Sequence, residues 1–180
     1  MHTTQNDHTS TTIFRTSSIN TPLGTIIAIA DEHALYLLEF ADYAKLEHKI
    51  ERLRKHTNAT IITGITPPIT SITDELNAYF GGTLKEFKTP LFLFGTNFQK
   101  KVWHALTRIP YGVTRSYADQ AKNIAQPTAS RAVANANGAN QMPIVIPCHR
   151  IINSNGNLGG YGGGIARKQW LLNHEKENNR

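Results

Sequence analysis

The sequence predicts a two-part chain: an α/β unit over residues 13–90, then a mainly helical unit over residues 91–180 that contains a helix-turn-helix. Three observations predict it. Apolar residues in the first half recur with both strand and helix periods, whereas the second half is dominated by helical spacing. Charge is divided unevenly: residues 1–90 carry 8 Lys and Arg against 10 Asp and Glu, a net of −2, while residues 91–180 carry 11 against 3, a net of +8. Two short helical stretches joined by a tight turn lie in that basic half.

The chain has 180 residues, 39% hydrophobic and 18% charged, which suits one or two globular domains with a real core. No apolar run approaches the roughly 20 residues that span a bilayer, so no membrane partner is expected. The opening "MHTTQNDHTSTT" is polar, lacks the apolar centre of a signal peptide and reads as a flexible tail over residues 1–12, with His2 and His8 solvated. The single cysteine can form neither an intramolecular disulfide nor a multi-cysteine zinc site. It suits a reducing, intracellular compartment. The positive half suits a polyanion such as nucleic acid; incidental positive charge on a solvated surface is the alternative.

The first half opens with "LGTIIAIADEHALYLLEF", two strands joined around Asp31 to His33. "YAKLEHKIERLRKH" carries Leu46, Ile50 and Leu53 at helical spacing, and "ITSITDELNAYFGG" repeats this with Ile69, Ile72, Leu76 and Tyr79. Pro67-Pro68 separates the two helices and Gly81-Gly82 ends the second. This half holds no catalytic constellation and reads as a scaffold.

"TPLFLFGT" follows as a linker. "NFQKKVWHALTRI" places Phe98, Val102, Ala105, Leu106 and Ile109 on one helical face, with Thr96 or Asn97 as the cap, and "PYG" stops it. "SYADQAKNI" is a short helix with Tyr117, Ala121 and Ile124 aligned; "AQPT" turns the chain and "ASRAVANANGA" begins the next helix. This last helix is nearly all small residues apart from Arg131 and Val133. Readers of the major groove carry long side chains, so an alanine-faced helix suits close approach to a backbone or a shallow groove; tight helix–helix packing is the alternative.

The cysteine, Cys148, lies in "PIVIPCHRII", where Ile144 to Ile146 look like a buried strand leading into Cys148, His149 and Arg150. A free thiol is mostly protonated near neutrality and needs a base or a nearby cation to become a nucleophile. His149 and Arg150 are candidates, and Pro147 suggests a turn that brings them together. An inert buried thiol beside an incidental histidine is the alternative. In the last helix, "ARKQWLLNHEKE", Glu175 follows Leu171 and Leu172 on the apolar face, where a carboxylate needs a partner; a histidine held basic is one, and a solvated helix end is the other reading. Six glycines in the nine residues Gly156 to Gly164 allow close approach to a flat ligand or form a flexible loop, and they match no phosphate-binding or dinucleotide fingerprint.

"NQMPIVIPCHRII", preceded by "SRAVANANGAN" and followed by "GGYGGGIARKQWLLNHE", closely resembles the O6-alkylguanine-DNA alkyltransferases, or methylated-DNA–protein-cysteine methyltransferases. "GTNFQKKVWHALTRIPYGVTRSYADQA" also resembles that family's core, so the likeness runs over about residues 72–175 and is strongest from Gly95 onward. The resemblance implies a ribonuclease H-like N-terminal domain and a winged-helix-like DNA-binding domain. It implies direct repair: an alkylated guanine, or an O4-alkylated thymine, is flipped out of duplex DNA, and its alkyl group moves irreversibly to the protein's own cysteine, once per molecule. The implied partner is double-stranded DNA containing alkylated bases, handled by a monomer without metal or cofactor, in the cytoplasm of a bacterial cell or the nucleus of a eukaryotic one.

Carried over by position, the resemblance makes Cys148 the acceptor, His149 its base through a water, and Glu175 the group that orients His149. Asn140 braces the active-site turn, Tyr117 donates to the leaving guanine, and Lys168 assists there. Pro143 and Tyr161 form pocket walls, the Gly162 amide faces the guanine oxygen, and the carbonyls of Cys148 and Ile151 face its amino group. Arg131 fills the gap left by the flipped base, on a recognition helix that presents Ala129, Ala132, Asn135, Ala136 and Gly138 to the minor groove. The chain departs from relatives that carry a cysteine zinc site or a fused phosphotriester-repair domain. Gly162 replaces a serine found in some members, and Asn137 replaces a bulkier apolar residue near the DNA face. The Gly-rich loop and Pro143 suggest tolerance of bulky alkyl groups. Two competing readings are a lesion-recognising module with an idle thiol, which Cys148 argues against, and a cysteine hydrolase using Cys148, His149 and Glu175.

Overall fold

The computed structural model describes residues 12–179; the tail expected over residues 1–12, with His2 and His8, otherwise falls outside them, and Thr12 already opens a strand. The first half forms a four-stranded sheet from β1 (Thr12–Thr21), β2 (Gly24–Ala30), β3 (Leu35–Phe40) and β4 (Ala59–Thr63) in the order β3-β2-β1-β4. β1 and β3 flank β2 antiparallel, and β4 runs parallel to β1. β2 and β3 are the two expected strands. β1 and β4 are additional: β1, "TIFRTSSINT", buries only Phe14 and Ile19, so its Thr and Ser residues supply strand geometry without an alternating apolar signal.

Helix α1 (Leu46–Thr57) leads into β4 through Asn58, which caps it in the left-handed conformation (φ 50°). Helix α2 (Pro67–Phe80) buries Ile69, Ile72, Leu76 and Tyr79, as its spacing predicts. Pro67 and Pro68 do not separate the helices from outside; they form the first turn of α2, where proline's missing N–H has no intrahelical partner to lose. Leu53 of α1 packs with Phe14, Ile29, Leu37 and Phe94 in a small cluster. The main core joins Ile26, Leu38 and Phe40 to α2 and onward to Trp103, Val133, Ile146 and Leu171 of the second half.

The second half contains α3 (Asn97–Leu106), β5 (Arg115–Ser116), α4 (Tyr117–Asn123), α5 (Ser130–Gly138), β6 (Ile151–Ile152) and α6 (Ile165–Glu177), with β5 and β6 paired parallel. Reciprocal capping boxes start α3, between Thr96 and Gln99, and α4, between Ser116 and Asp119. α5 packs on α3 and α4. Gln120 and Asn137 join α4 to α5 through two amide hydrogen bonds of 2.8 and 3.3 Å.

The run at residues 143–147 is not a strand. It is a series of turns ending in a single 3₁₀ turn over Cys148–Arg150. A short apolar run fits a buried turn as well as a buried strand, and Pro143 and Pro147 lack the N–H a ladder needs. The expected linker also has a structural role. Leu35 N–H donates to Pro90 O at 2.8 Å and Phe92 N–H to Leu35 O at 2.9 Å, while Leu38 N–H donates to Gln141 O at 2.9 Å. The outer edge of β3 is therefore covered by residues 90–92 and by the turn that leads to Cys148.

Candidate active site

Cys148 sits at the end of a turn held by one side chain. Asn140 Nδ2 donates to Ile146 O at 2.8 Å and to Cys148 Sγ at 3.2 Å, while Asn140 Oδ1 accepts from Met142 N–H at 2.9 Å. Inside this bracket Ile144 adopts a left-handed conformation (φ 76°) although it is β-branched and fully buried. Such a residue costs on the order of 1–3 kcal/mol and persists only where its surroundings over-determine it.

Behind the turn lies a closed polar cluster. Glu175 is 0% exposed and accepts five hydrogen bonds. Its Oε1 takes the Tyr79 hydroxyl (2.9 Å), His149 Nε2 (2.7 Å) and an Arg150 guanidinium nitrogen (2.9 Å). Its Oε2 takes Arg150 Nε (2.9 Å) and the Gly112 amide (3.0 Å). Burial pushes the Glu175 carboxyl up, but the hydrogen bonds and charges of His149 and Arg150 outweigh it and hold the group well below the usual carboxylate range. With an ionised acceptor on Nε2, the His149 proton resides there and Nδ1 keeps a lone pair. Nδ1 is buried with no partner among the described residues. Burial lowers the His149 pKa, opposed by Glu175, so the ring is a neutral base at neutral pH.

Arg150 does not serve the thiol. It is committed to Glu175 and to Ile109 O at 2.6 Å. The cations that act on Cys148 are Lys49 and Lys168. Lys168 is fully buried, and its ammonium donates to the carbonyls of Ile151, Leu158 and Gly160, gathering the base of the glycine loop. Burial pulls its pKa down to about 8, against the pull of Cys148. Burial raises the thiol pKa of Cys148, while the Asn140 hydrogen bond and the two lysines work in the other direction.

In front of the thiol lies a cavity of about 230 Å³ lined by Tyr117, Ala134, Asn135, Asn137, Gly138, Cys148, Gly160, Tyr161 and Gly162. Burial and the proximity of Cys148 raise the pKa of both tyrosines, Tyr161 most strongly, so both remain hydrogen-bond donors. The Tyr161 hydroxyl is buried and has no partner among the described residues.

The structure thus gathers Cys148, Tyr117, Tyr161, Gly162, Asn135 and Gly138 around one cavity, with Asn140, His149, Lys168 and Glu175 packed behind it. Pro143 and Ile151 are buried and do not line it. The Cys148 and Ile151 carbonyls each accept a protein hydrogen bond, from Ile151 N–H and Lys168 respectively, which leaves each a second lone pair. Arg131, Ala132, Asn135 and Gly138 are exposed on α5, with Ala129 half-buried at its start. Ala136 turns inward instead: it is 3% exposed and its carbonyl accepts the Trp103 indole N–H at 2.8 Å. Asn137 is likewise buried, as the partner of Gln120.

The first half is more than a scaffold. Tyr79 reaches Glu175, and Lys49, paired with Glu39, reaches the Asn140 carbonyl. These residues, with Gly112 and Gln120, are absent from the sequence-derived site, and Arg150, expected beside the thiol, clamps Glu175 instead. Only Lys49 left a signal, as a charge in line with the apolar positions of its helix. Among the described residues no group of His, Cys, Asp and Glu could hold a metal ion, and no helix is long and apolar enough to cross a membrane.

Residues 14–93 match the ribonuclease-like domain of 6-O-methylguanine DNA methyltransferase, and residues 97–177 match the DNA binding domain of the same family. A methylated-DNA–protein-cysteine methyltransferase of Mycobacterium tuberculosis is 57% identical over 103 residues, a stretch that covers 57% of this chain but only 62% of that protein. The protein so named in Methanosarcina acetivorans is 42% identical over 154 residues, which cover 86% of this chain and 93% of the relative. The crystal structure of Mycobacterium tuberculosis O6-methylguanine methyltransferase superposes with a TM-score of 0.78 at 41% identity, covering 92% of this chain and 94% of that one. The mycobacterial OGT in complex with DNA matches with the same TM-score and coverage at 42% identity.

Proposed function

The chain belongs to the 6-O-methylguanine DNA methyltransferase family, and from that premise we propose that it repairs O6-alkylguanine, and O4-alkylthymine, in duplex DNA by moving the alkyl group to its own Cys148. The observation that carries this reading is the thiol at the base of the cavity, with Asn140 on its sulfur and the His149–Glu175 pair behind it.

In this reading the flipped base enters the cavity from the face of α5. His149, through a water at Nδ1, accepts the thiol proton. The thiolate attacks the alkyl carbon in line with the C–O6 bond; a C–S bond forms, and the C–O6 electron pair leaves with guanine. Tyr117 donates to the base as negative charge develops on it, and Lys168 assists by fixing the loop around it. The Gly162 amide faces O6, Tyr161 acts as a wall, and the Cys148 carbonyl offers its remaining lone pair to the amino group, while Pro143 and Ile151, expected in these roles, support the pocket from behind its lining. The thioether is stable, so each molecule acts once.

We read α4, the turn after it and α5 as the helix-turn-helix of a winged-helix-like unit spanning residues 91–180. Residues 13–90 form a ribonuclease H-like unit that supports it. Arg131 fills the stack from which the base has left, while Ala129, Ala132, Asn135 and Gly138 let α5 settle into the minor groove with little base readout. Ala136 and Asn137 act from inside, by holding α5 on α3 and α4. The protein works as a cytoplasmic monomer without a cofactor.

Intact-protein mass after incubation with a duplex carrying O6-methylguanine tests the reading. A gain of one methyl group per protein, mapped to Cys148 and absent from Cys148→Ala, is expected. Lesion-selective binding with no mass gain would make the protein a sensor.

A further inference from the structure

We propose that Lys49, on α1 of the N-terminal unit, is a positioning residue for the transfer at Cys148: paired with Glu39, it fixes Asn140, the donor to the sulfur. The inference rests on the alkyl-transfer reading of the same site.

The placement of Lys49 is unusual for its helix. Leu46, Ile50 and Leu53 form the stripe of α1 that faces the sheet, and Lys49 lies within that stripe at 9% exposure. An apolar residue there would avoid the desolvation of an ammonium, and replacing a buried ion pair by apolar groups is often neutral or stabilising. The ammonium is instead fully directed. It contacts Glu39 Oε2 at 2.5 Å and Asn140 O at 2.5 Å, and lies 4.8 Å from the centre of the Tyr43 ring. Glu39 is locked in turn, its other oxygen accepting the Phe40 N–H at 2.9 Å.

The contact with Asn140 gives the pair its reach. The side chain of Asn140 is consumed by Met142, Ile146 and the sulfur, and its carbonyl is taken by Lys49. A rotation of this residue would withdraw the donor from Sγ, and Lys49 opposes that rotation from 91 positions away in the chain. Its two charges also act on the thiol with opposite signs, Lys49 favouring the thiolate and Glu39 the thiol. The other groups acting on the sulfur are Lys168 from α6, Tyr117 from α4, and Tyr161 and Asn140 from the surrounding loops, with His149 next to it in the 3₁₀ turn.

A purely structural pair would lower stability when broken and leave the thiol's titration in place. A positioning pair moves that titration, and in opposite directions for its two members. The experiment uses the full chain, whose one cysteine makes the reaction with iodoacetamide site-specific. Its rate is followed against pH for the wild type, Lys49→Met, Glu39→Gln, the double variant and Lys49→Arg, alongside single-turnover methyl transfer and duplex affinity.

In Lys49→Met the midpoint is expected to rise by about one pH unit, and transfer at neutral pH to slow about tenfold with duplex affinity within about twofold. In Glu39→Gln the midpoint moves down. The double variant falls between the wild type and Lys49→Met, because the charges cancel while the contact with Asn140 stays lost, and Lys49→Arg stays close to the wild type. Midpoints that do not move, or that move the same way in both single variants, overturn the proposal. If Lys49→Met does not fold, Glu39→Gln decides: a downward midpoint supports the proposal and an unchanged one overturns it. A wild type that accepts no methyl group from the duplex would instead overturn the transfer reading, while the iodoacetamide profiles still judge the pair.

Discussion

On one side of Cys148, Glu175 accepts five hydrogen bonds and is closed to solvent; on the other, the Tyr161 hydroxyl is buried beside the cavity with no partner among the described residues. The back wall is over-determined: its carboxylate, imidazole, guanidinium and phenol each fix the others, and three chain segments besides α6 contribute. The front wall is built from glycines, tyrosines and the small residues of α5, with donors left for an incoming group. The precision in placing the imidazole is invested in the back wall, and an unpartnered donor is left to the front.

The largest expected effect comes from opening the back wall. Glu175→Gln removes the counter-charge of buried Arg150 and the anchor of His149. Breaking a buried pair by removing one partner costs on the order of 3–5 kcal/mol, so denaturant melts should show a loss of that size, together with slower methyl transfer. A front-wall change should separate the two quantities. Tyr117→Phe keeps the ring, which is half-buried, and removes only the hydroxyl. Transfer is expected to fall by about a hundredfold, the low end of proton-donor catalysis, while melts stay within about 0.5 kcal/mol of the wild type. Equal losses in both variants would erase the distinction between the walls.

Acid sharpens the same comparison with a smaller effect. The Glu175 carboxyl titrates lower in the folded state than its ordinary value, so its stabilisation is present above about pH 4.3 and is lost as pH falls below that toward the folded value. His149 also titrates lower when folded. The unfolded chain therefore takes up a proton below about pH 6.5 that the folded one refuses, and stability declines there too. Both signs agree. Thermal melts should fall modestly from pH 7.5 to 5.5 and further at pH 4, and Glu175→Gln should flatten the lower segment.

Local chemistry made much of this legible in the sequence. The spacing of Leu171 and Glu175 placed a carboxylate on the buried face of α6, and the apolar stripes of α2 and α3 located those helices. Contacts between distant segments left no local mark: nothing near Tyr79 announces Glu175, 96 residues away. The sequence places Ala136 on the outer face because a helix of small residues has little amphipathic contrast, whereas the indole of Trp103 holds its carbonyl on the inner one. The turn before Cys148 resembled a strand because Ile144 to Ile146 are all buried, as in a strand with both faces covered, yet their backbone is served by an asparagine side chain rather than by a ladder.

The cover over β3 has a consequence for solubility. An exposed strand edge is a template for pairing with another chain, and this sheet would have two such edges, β3 and β4. Leu38 N–H donates to Gln141 O, one residue beyond Asn140, so the segment that places the nucleophile also covers the later part of this edge, while residues 90–92 cover its start. Loss of order at this turn would thus disturb the setting of the thiol and open part of that edge together.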